Sequence, residues 1–170
     1  WLENPDLPTD ALLKKYCEAA FGKGASAMEN FYRELDKRLQ IAIIDKESHP
    51  DDLISDPGDD VLNLPKYANF LIRYPDDVTA RLDAMLGDAE KLTDSRLMKL
   101  ARFEFEYLKK SAVAVNAFAR CIQSPSRENT MNMYLKIMER NNFIDGIEFK
   151  NSLARFNGDA VFGIQTKADI

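Results

Sequence analysis

The chain has 170 residues, of which 45% are hydrophobic and 30% are charged, a composition typical of a folded domain with its own core. A net charge of -5 and the lack of a basic cluster argue against a nucleic-acid partner, and no apolar run reaches the roughly 18 residues of a membrane-spanning helix. We therefore expect a single soluble domain over residues 1–170, without a membrane partner.

The first eight residues predict a connector rather than a helix. Pro5 and Pro8 interrupt helical hydrogen bonding and favour an extended chain. Because the sequence begins at Trp1 instead of Met, we expect residues 1–8 to join this domain to an upstream domain of a larger protein. The Trp1 ring is then a candidate contact at the interface with that domain.

Two helices follow the connector. Thr9 or Asp10 is placed to cap the first helix, and Gly22 is placed to end it. Apolar residues then recur at helical spacing from about Ser26 to Asp45, which predicts the second helix. The short connection between the two helices predicts an antiparallel hairpin.

Residues 46–65 break the helical pattern and predict a long acidic loop with three prolines. Carboxylate oxygens are the ligands that Ca²⁺ prefers, and the loop contains five candidates: Asp51, Asp52, Asp56, Asp59 and Asp60. Their spacing does not follow the EF-hand register, and a solvated turn at residues 56–59 is the ordinary interpretation. We therefore predict no metal site here.

A short helix is predicted over residues 66–73, and it ends before Pro75 because the residue preceding a proline avoids the helical conformation. Pro75 then begins another helix, whose buried face runs from Val78 to Ala89. Tyr67 and Tyr74 lie at the edges of these segments, where a ring can stack on a sugar or pack on a partner. We take both as interface candidates, beside the alternative that they belong to the core.

The stretch from Asp94 to Gln123 contains neither Gly nor Pro and predicts a long central helix, roughly 43 Å in length. Thr93 or Asp94 is placed to cap it. Two apolar stripes follow its length, the first formed by Leu97, Leu100, Ala101, Leu108, Ala112, Val115, Ala119 and Ile122, and the second by Phe103, Tyr107, Ala114 and Phe118. Because two stripes indicate burial on more than one side, we predict an all-α bundle arranged around this helix.

The chain reverses at Ser124-Pro125, and a last helix follows with an apolar face. That face is formed by Met131, Tyr134, Leu135 and Met138. Residues 148–156 predict a further short helical segment, whereas the tail over residues 157–170 fits neither a helix nor a strand.

Little in the sequence points to catalysis. Histidine, the usual acid–base group and metal ligand, occurs once, as His49 in the acidic loop. The motifs of nucleophilic hydrolases, zinc sites and phosphate-binding loops are lacking. Cys17 and Cys121 lie in different predicted helices, which favours two buried thiols over a disulfide framework. The sequence therefore predicts neither a cofactor nor an enzyme activity for this chain alone.

The first 35 residues resemble a known family. The shared pattern consists of Asn4-Pro5-Asp6, Asp10, Leu13, Tyr16-Cys17, Ala20-Phe21-Gly22, Ala25, Met28, Phe31-Tyr32 and Leu35. It is similar to the helical region that follows the barrel in bacterial glycoside-hydrolase-like proteins, a domain-of-unknown-function family laid out like α-glucuronidases and β-N-acetylhexosaminidases. Val78, Arg81-Leu82 and the run from Phe105 to Leu108 are similar to the helices that come next. In that family the tryptophan directly precedes the asparagine, whereas Trp1 stands three residues before Asn4.

This resemblance implies a non-catalytic accessory domain that packs against an upstream carbohydrate-active barrel of the same chain. The parent protein would then be an exported bacterial glycoside hydrolase, periplasmic or extracellular, whose catalytic acids lie at the strand ends of the barrel. Two alternatives stay open from the residues themselves. One is a stand-alone carbohydrate-binding module, and the other is a helical protein-interaction module unrelated to sugars.

Overall fold

A computed structural model of the chain describes residues 8–44 and 70–146. The described residues form five long helices: α1 (Thr9–Phe21), α2 (Ala25–Ile44), α3 (Asp76–Glu90), α4 (Arg96–Gln123) and α5 (Arg127–Asp145). These ranges contain no strand, and no helix in them is long and apolar enough to cross a bilayer. The predicted all-α bundle is confirmed, whereas the predicted acidic loop over residues 46–65 lies outside the described residues.

The chain divides into two compact units. Among the described residues, the first unit contains 8–41 and Asp76–Glu106, and the second contains 42–44, 70–75 and 107–146. Helix α4 contributes residues to both units, because the division falls between Glu106 and Tyr107.

Pro8, rather than a side-chain cap, sets the start of α1. Its backbone is extended, with φ -55° and ψ 141°, and its carbonyl accepts hydrogen bonds from the N–H groups of Ala11 and Leu12. The predicted cap by Thr9 or Asp10 is therefore wrong, since both residues lie inside the helix and no side chain caps it. The proline carbonyl satisfies amide groups that a cap would otherwise serve.

Glycines shape the turn between α1 and α2. Gly22 ends α1 as predicted, with φ +52° in the left-handed region and its N–H donating to the Glu18 carbonyl. A 3-10 turn over Gly22–Gly24 follows. A β-carbon on Gly24 would lie 2.9 Å from Thr93 Cγ2 and 3.4 Å from the Ala89 carbonyl oxygen. Only glycine allows this turn to approach the end of α3 so closely.

The core of the first unit is formed by side chains from all four of its helices. Its buried residues are Cys17, Phe21, Met28, Phe31, Val78, Leu82, Leu86, Ala89, Met98, Ala101 and Phe105. The rings of Phe31 and Phe105 meet edge to face, with centroids 5.5 Å apart, and so join α2 to α4. At the surface, Arg81 Nη2 donates to Glu34 Oε1 at 2.5 Å and joins α3 to α2.

An arginine on α4 closes the contact with α3. Arg102 Nε and Nη2 donate to the two carboxylate oxygens of Glu90 at 2.8 and 2.7 Å, and Arg102 Nη1 donates to Asp83. The hydrogen bonds that Arg102 donates to Glu90, the largest cause, and to Asp83 raise its pKa above an already high value, although desolvation by burial opposes the shift. The guanidinium therefore stays charged throughout the accessible pH range, and it joins the two helices as long as the partner carboxylates are ionised.

In the second unit, α4 and α5 form an antiparallel pair. Arg140 Nε donates to Ser111 Oγ at 3.0 Å, and its guanidinium lies over the Tyr107 ring at 5.7 Å. Nearer the connection, Cys121 Sγ lies 3.6 Å from Thr130 Oγ1. The remaining buried positions are mostly small on α4: Ala112, Ala114, Ala117 and Ala119. Small side chains let neighbouring backbones approach closely.

Asn116 on α4 fastens the segment that precedes α3. Its side-chain Nδ2 donates to the carbonyl oxygens of Leu71 at 3.4 Å, Tyr74 at 3.2 Å and Ala112 at 2.9 Å. Residues 70–72 are helical, and Tyr74 lies two residues beyond the last of them. One side-chain amide thereby joins α4 to residues 71–74, the segment that leads into α3.

Serine side chains set the starts of the last two helices. Ser95 Oγ accepts a hydrogen bond from the Met98 N–H at 3.0 Å, so the predicted cap by Thr93 or Asp94 is wrong by one or two positions. Ser126 caps α5 in the same way.

Candidate interaction surfaces

Most of the candidate residues from the sequence lie outside the described residues: Trp1, Tyr67, Asp51, Asp52, Asp56, Asp59 and Asp60. Tyr74 is described, and only 2% of it is exposed, with its ring 5.1 Å from that of Phe70. A ring so covered can neither stack on a sugar nor contact a partner domain, so Tyr74 is a core residue. Within the described ranges, no three His, Cys, Asp or Glu side chains are grouped so as to hold a metal ion.

Cys17 has no exposed surface, as predicted for a buried thiol, whereas Cys121 is half-buried; both thiols are free. Burial raises the pKa of the Cys17 thiol to about 11, the Glu29 charge adds to the shift, and the Arg33 charge opposes it. Because the thiolate is the reactive form, Cys17 is a core side chain rather than a nucleophile.

Two tyrosines form a pair at the surface of the first unit. Their rings, Tyr16 on α1 and Tyr32 on α2, lie 6.2 Å apart, and their side chains are joined by a hydrogen bond. Burial raises the pKa of Tyr32 strongly, and the neighbouring Tyr16 and the Glu104 carboxylate add to the shift. A phenol held so firmly neutral is unsuited to acid–base work near pH 7. In contrast to Tyr32, Tyr16 is 48% exposed.

Two leucines of α4 continue this surface. The charge of Glu104 acts on Tyr32, so this carboxylate lies beside the tyrosine pair. Leu97 and Leu100 precede Glu104 by seven and four residues, spacings that place all three on the same side of a helix. Both leucines are well exposed, at 41% and 44%. We name Tyr16, Tyr32, Leu97 and Leu100 the tyrosine–leucine face.

The two sides of α4 in the first unit differ sharply. Arg102 follows Leu100 by two residues, or about 200° around the helix, and therefore lies on the opposite side. That side is closed by the ion pairs of Arg102 with Glu90 and Asp83 on α3. The other side leaves Leu97 and Leu100 in solvent.

A second group of exposed apolar side chains, which we call the hairpin face, lies on α4 and α5 in the second unit. Its five large side chains are each between 43% and 56% exposed: Phe118, Ile122, Met131, Tyr134 and Leu135. The apolar stripes predicted for both helices are thus present, but the predicted burial of Phe118 and Ile122 on α4 is wrong. The outer side of α5 also carries a shallow, open depression that includes Met131 and Leu135.

Comparisons with protein-family models, with curated proteins and with solved structures give no match. The similarity to helical regions of glycoside-hydrolase-like proteins therefore stays a prediction.

The tyrosine–leucine face was not predicted from the sequence, although the sequence contains one signal for it. Tyr16 and Cys17 are adjacent apolar residues of α1, and consecutive helical residues point about 100° apart, so the same side of the helix does not bury both equally. In the structure Cys17 is fully buried and Tyr16 is half-exposed. Leu97 and Leu100 gave no comparable signal, since an apolar stripe looks the same whether the chain itself or a partner covers it.

Proposed function

We propose that this chain is a non-catalytic helical accessory module that packs its tyrosine–leucine face against another protein domain. The observation that carries the proposal is the exposure of Tyr16, Leu97 and Leu100 on one side of the first unit. Exposed groups of large apolar side chains on a folded domain mark interaction sites. Burial of each of these side chains by a partner would contribute roughly 1 kcal/mol or more to the free energy of association.

The position of α1 supports an upstream domain of the same chain as the partner. Tyr16 lies seven residues after Thr9, so its ring stands only about 10 Å along the helix from the first residue of α1. A domain attached through residues 1–8 would be within reach of this face. The resemblance of the first 35 residues suggests that this domain is a carbohydrate-active barrel, which would contain the catalytic groups.

The test begins with the coding sequence upstream of Trp1, where a barrel should show as repeated strand and helix patterns. The barrel and this chain are then produced as separate polypeptides, and their association is measured by calorimetry. We expect Leu100→Asp to weaken association at least about tenfold, because a carboxylate would be buried at the contact. Ala84→Asp, which adds the same charge at an exposed position of α3, is the matched control.

Both variants should keep the circular dichroism and melting temperature of the parent chain, so that a loss of association is not a loss of folding. The proposal fails if the barrel does not bind, or if Leu100→Asp and Ala84→Asp bind it equally well. Glycan binding by this chain alone, lost on Tyr16→Ala, would instead favour a carbohydrate-binding module that uses the exposed Tyr16 ring.

A further inference from the structure

One row of side chains along α5 has opposite charges at its two ends. Arg127, Met131, Leu135 and Glu139 follow one another at intervals of four residues. Residues four apart occupy the same side of a helix, so the row forms a strip about 18 Å long on the surface. It presents a cation, two apolar side chains and an anion, in that order.

The apolar middle of this row belongs to the hairpin face. Met131 and Leu135 are 53% and 50% exposed, and Tyr134 lies beside them on α5. Phe118 and Ile122 stand four residues apart on α4, near the connection to α5, and are also exposed. The row is complementary to a second copy of itself. When two copies run antiparallel, the cation of each lies opposite the anion of the other, and the apolar side chains meet between them.

We infer that the hairpin face binds a second copy of this chain, with the two α5 helices antiparallel about a two-fold axis. In that arrangement the axis passes level with Met133, so Arg127 of each copy faces Glu139 of the other. By the same symmetry Met131 faces Leu135, and every contact occurs twice. A parallel arrangement would place like charges side by side, and is disfavoured for that reason.

The charged ends are accessible for these contacts. Arg127 is exposed, and the side chain of Glu139 is 55% exposed although it accepts a hydrogen bond from Lys136 at 3.0 Å within its own helix. An exposed carboxylate has lone pairs for a second cation, so the Lys136 contact and an intermolecular Arg127 contact are compatible.

The exposed area sets the strength of the dimer. Five large side chains, each about half exposed, supply at most roughly 400 Å² of apolar surface per copy, which is half of the area in a standard interface. We therefore expect a weak dimer, with a dissociation constant on the order of 10 to 100 µM. This inference is independent of the tyrosine–leucine face and of its partner.

Analytical ultracentrifugation of the full chain tests the inference between about 1 and about 500 µM. The mass should rise from 19.4 kDa towards twice that value with concentration. Leu135→Asp should weaken the dimer at least about tenfold, whereas Leu92→Asp, at an exposed leucine of the first unit, should leave it unchanged.

Charge reversal makes the geometry testable. Arg127→Glu and Glu139→Arg each place two like-charged pairs across the axis, so each variant alone should dimerise at least about tenfold more weakly. An equimolar mixture of the two variants should form a dimer again, because every facing pair is then opposite in charge. Loss of folding cannot produce this recovery.

A mass that stays at 19.4 kDa up to about 500 µM overturns the inference. The inference is also overturned if neither charge reversal changes the dissociation constant of the dimer, or if the mixed variants do not regain dimerisation. If the intact chain is monomeric and removal of residues 147–170 creates the dimer, the face is covered by that segment of the same chain.

Discussion

Replacement of Asn116 by aspartate changes the hydrogen-bonding character of one atom while the shape of the side chain is kept. In the native protein the amide Nδ2 donates to the carbonyls of Leu71, Tyr74 and Ala112 at distances between 2.9 and 3.4 Å. In Asn116→Asp an anionic oxygen takes the place of this donor and faces the same three carbonyl oxygens. Attraction becomes repulsion with almost no change in packing.

The expected cost follows from this count of donors and acceptors. The amide has two hydrogens, which amount to about two hydrogen bonds worth about 1 kcal/mol each in net stability. Asn116→Ala should therefore lower the free energy of unfolding by about 2 kcal/mol. Asn116→Asp adds the repulsion and partial desolvation of a half-buried carboxylate, for a total of about 3 to 4 kcal/mol at pH 7.

Acid should distinguish the two variants. The carbonyl oxygens favour the protonated form of the new carboxyl, so its pKa in the folded state is raised above the unfolded value of about 3.9. The unfolded chain then releases its proton at lower pH than the folded chain, and stability falls as the pH rises between the two pKa values. The cost of Asn116→Asp is complete above the folded pKa and shrinks towards about pH 4.

Urea unfolding followed by circular dichroism at about pH 7 and about pH 4 measures this difference for the native chain and both variants. We expect the gap between the Asp and Ala variants to narrow in acid, because a protonated carboxyl donates one hydrogen bond and carries no charge. Equal stability of the two variants at pH 7, or a gap that does not depend on pH, would refute the assignment of Asn116 as a donor to these carbonyls.

Two further predictions concern the turn after α1 and the buried thiol. Gly24→Ala should cost about 1 to 3 kcal/mol through the 2.9 Å contact with Thr93 Cγ2, and Thr93→Ser in the same chain should recover most of it in urea unfolding. Gly22→Ala, strained by its φ of +52° but free of contacts, should cost about 1 kcal/mol and should gain nothing from Thr93→Ser. In thiol labelling at about pH 8, Cys121 should react and Cys17 should not until the chain unfolds. Because the folded pKa of Cys17 is raised to about 11, the unfolded chain loses this proton first, so stability should fall as the pH rises above about 9, and Cys17→Ala should remove that part of the fall.

The extent of the long helix followed from the sequence with little error. Residues 94–123 were predicted and α4 spans Arg96–Gln123, because the stretch lacks helix-breaking residues and proline follows at position 125. The observed helix begins two residues later than predicted, because Ser95 caps it instead of Thr93 or Asp94. Local chemistry decides such boundaries, and it is visible in the sequence.

The buried faces were harder to predict. Of the two apolar stripes, Ala101, Ala112, Ala114 and Ala119 are buried as expected, while Leu97, Leu100, Phe118 and Ile122 are exposed. A hydrophobic stripe reports which side of a helix is apolar, and it carries no information on what covers that side. The Asn116 contacts were equally beyond prediction, since they join residues more than 40 positions apart through side-chain geometry.

The buried side chains of α4 in the second unit are small and the exposed ones are large. This difference indicates which substitutions should affect folding and which should affect association. In the second unit alanines occupy buried positions, whereas Phe118 and Ile122 are exposed. Stability of the isolated chain gains little from such an arrangement, because burial energy grows with apolar area. Substitutions at Asn116 or Gly24 should therefore act on unfolding, and those at Leu100 or Leu135 on binding. If Leu100→Asp or Leu135→Asp instead destabilised the isolated chain as strongly as Asn116→Asp, that leucine would belong to the core of the fold, and the association assigned to its face would lose its basis.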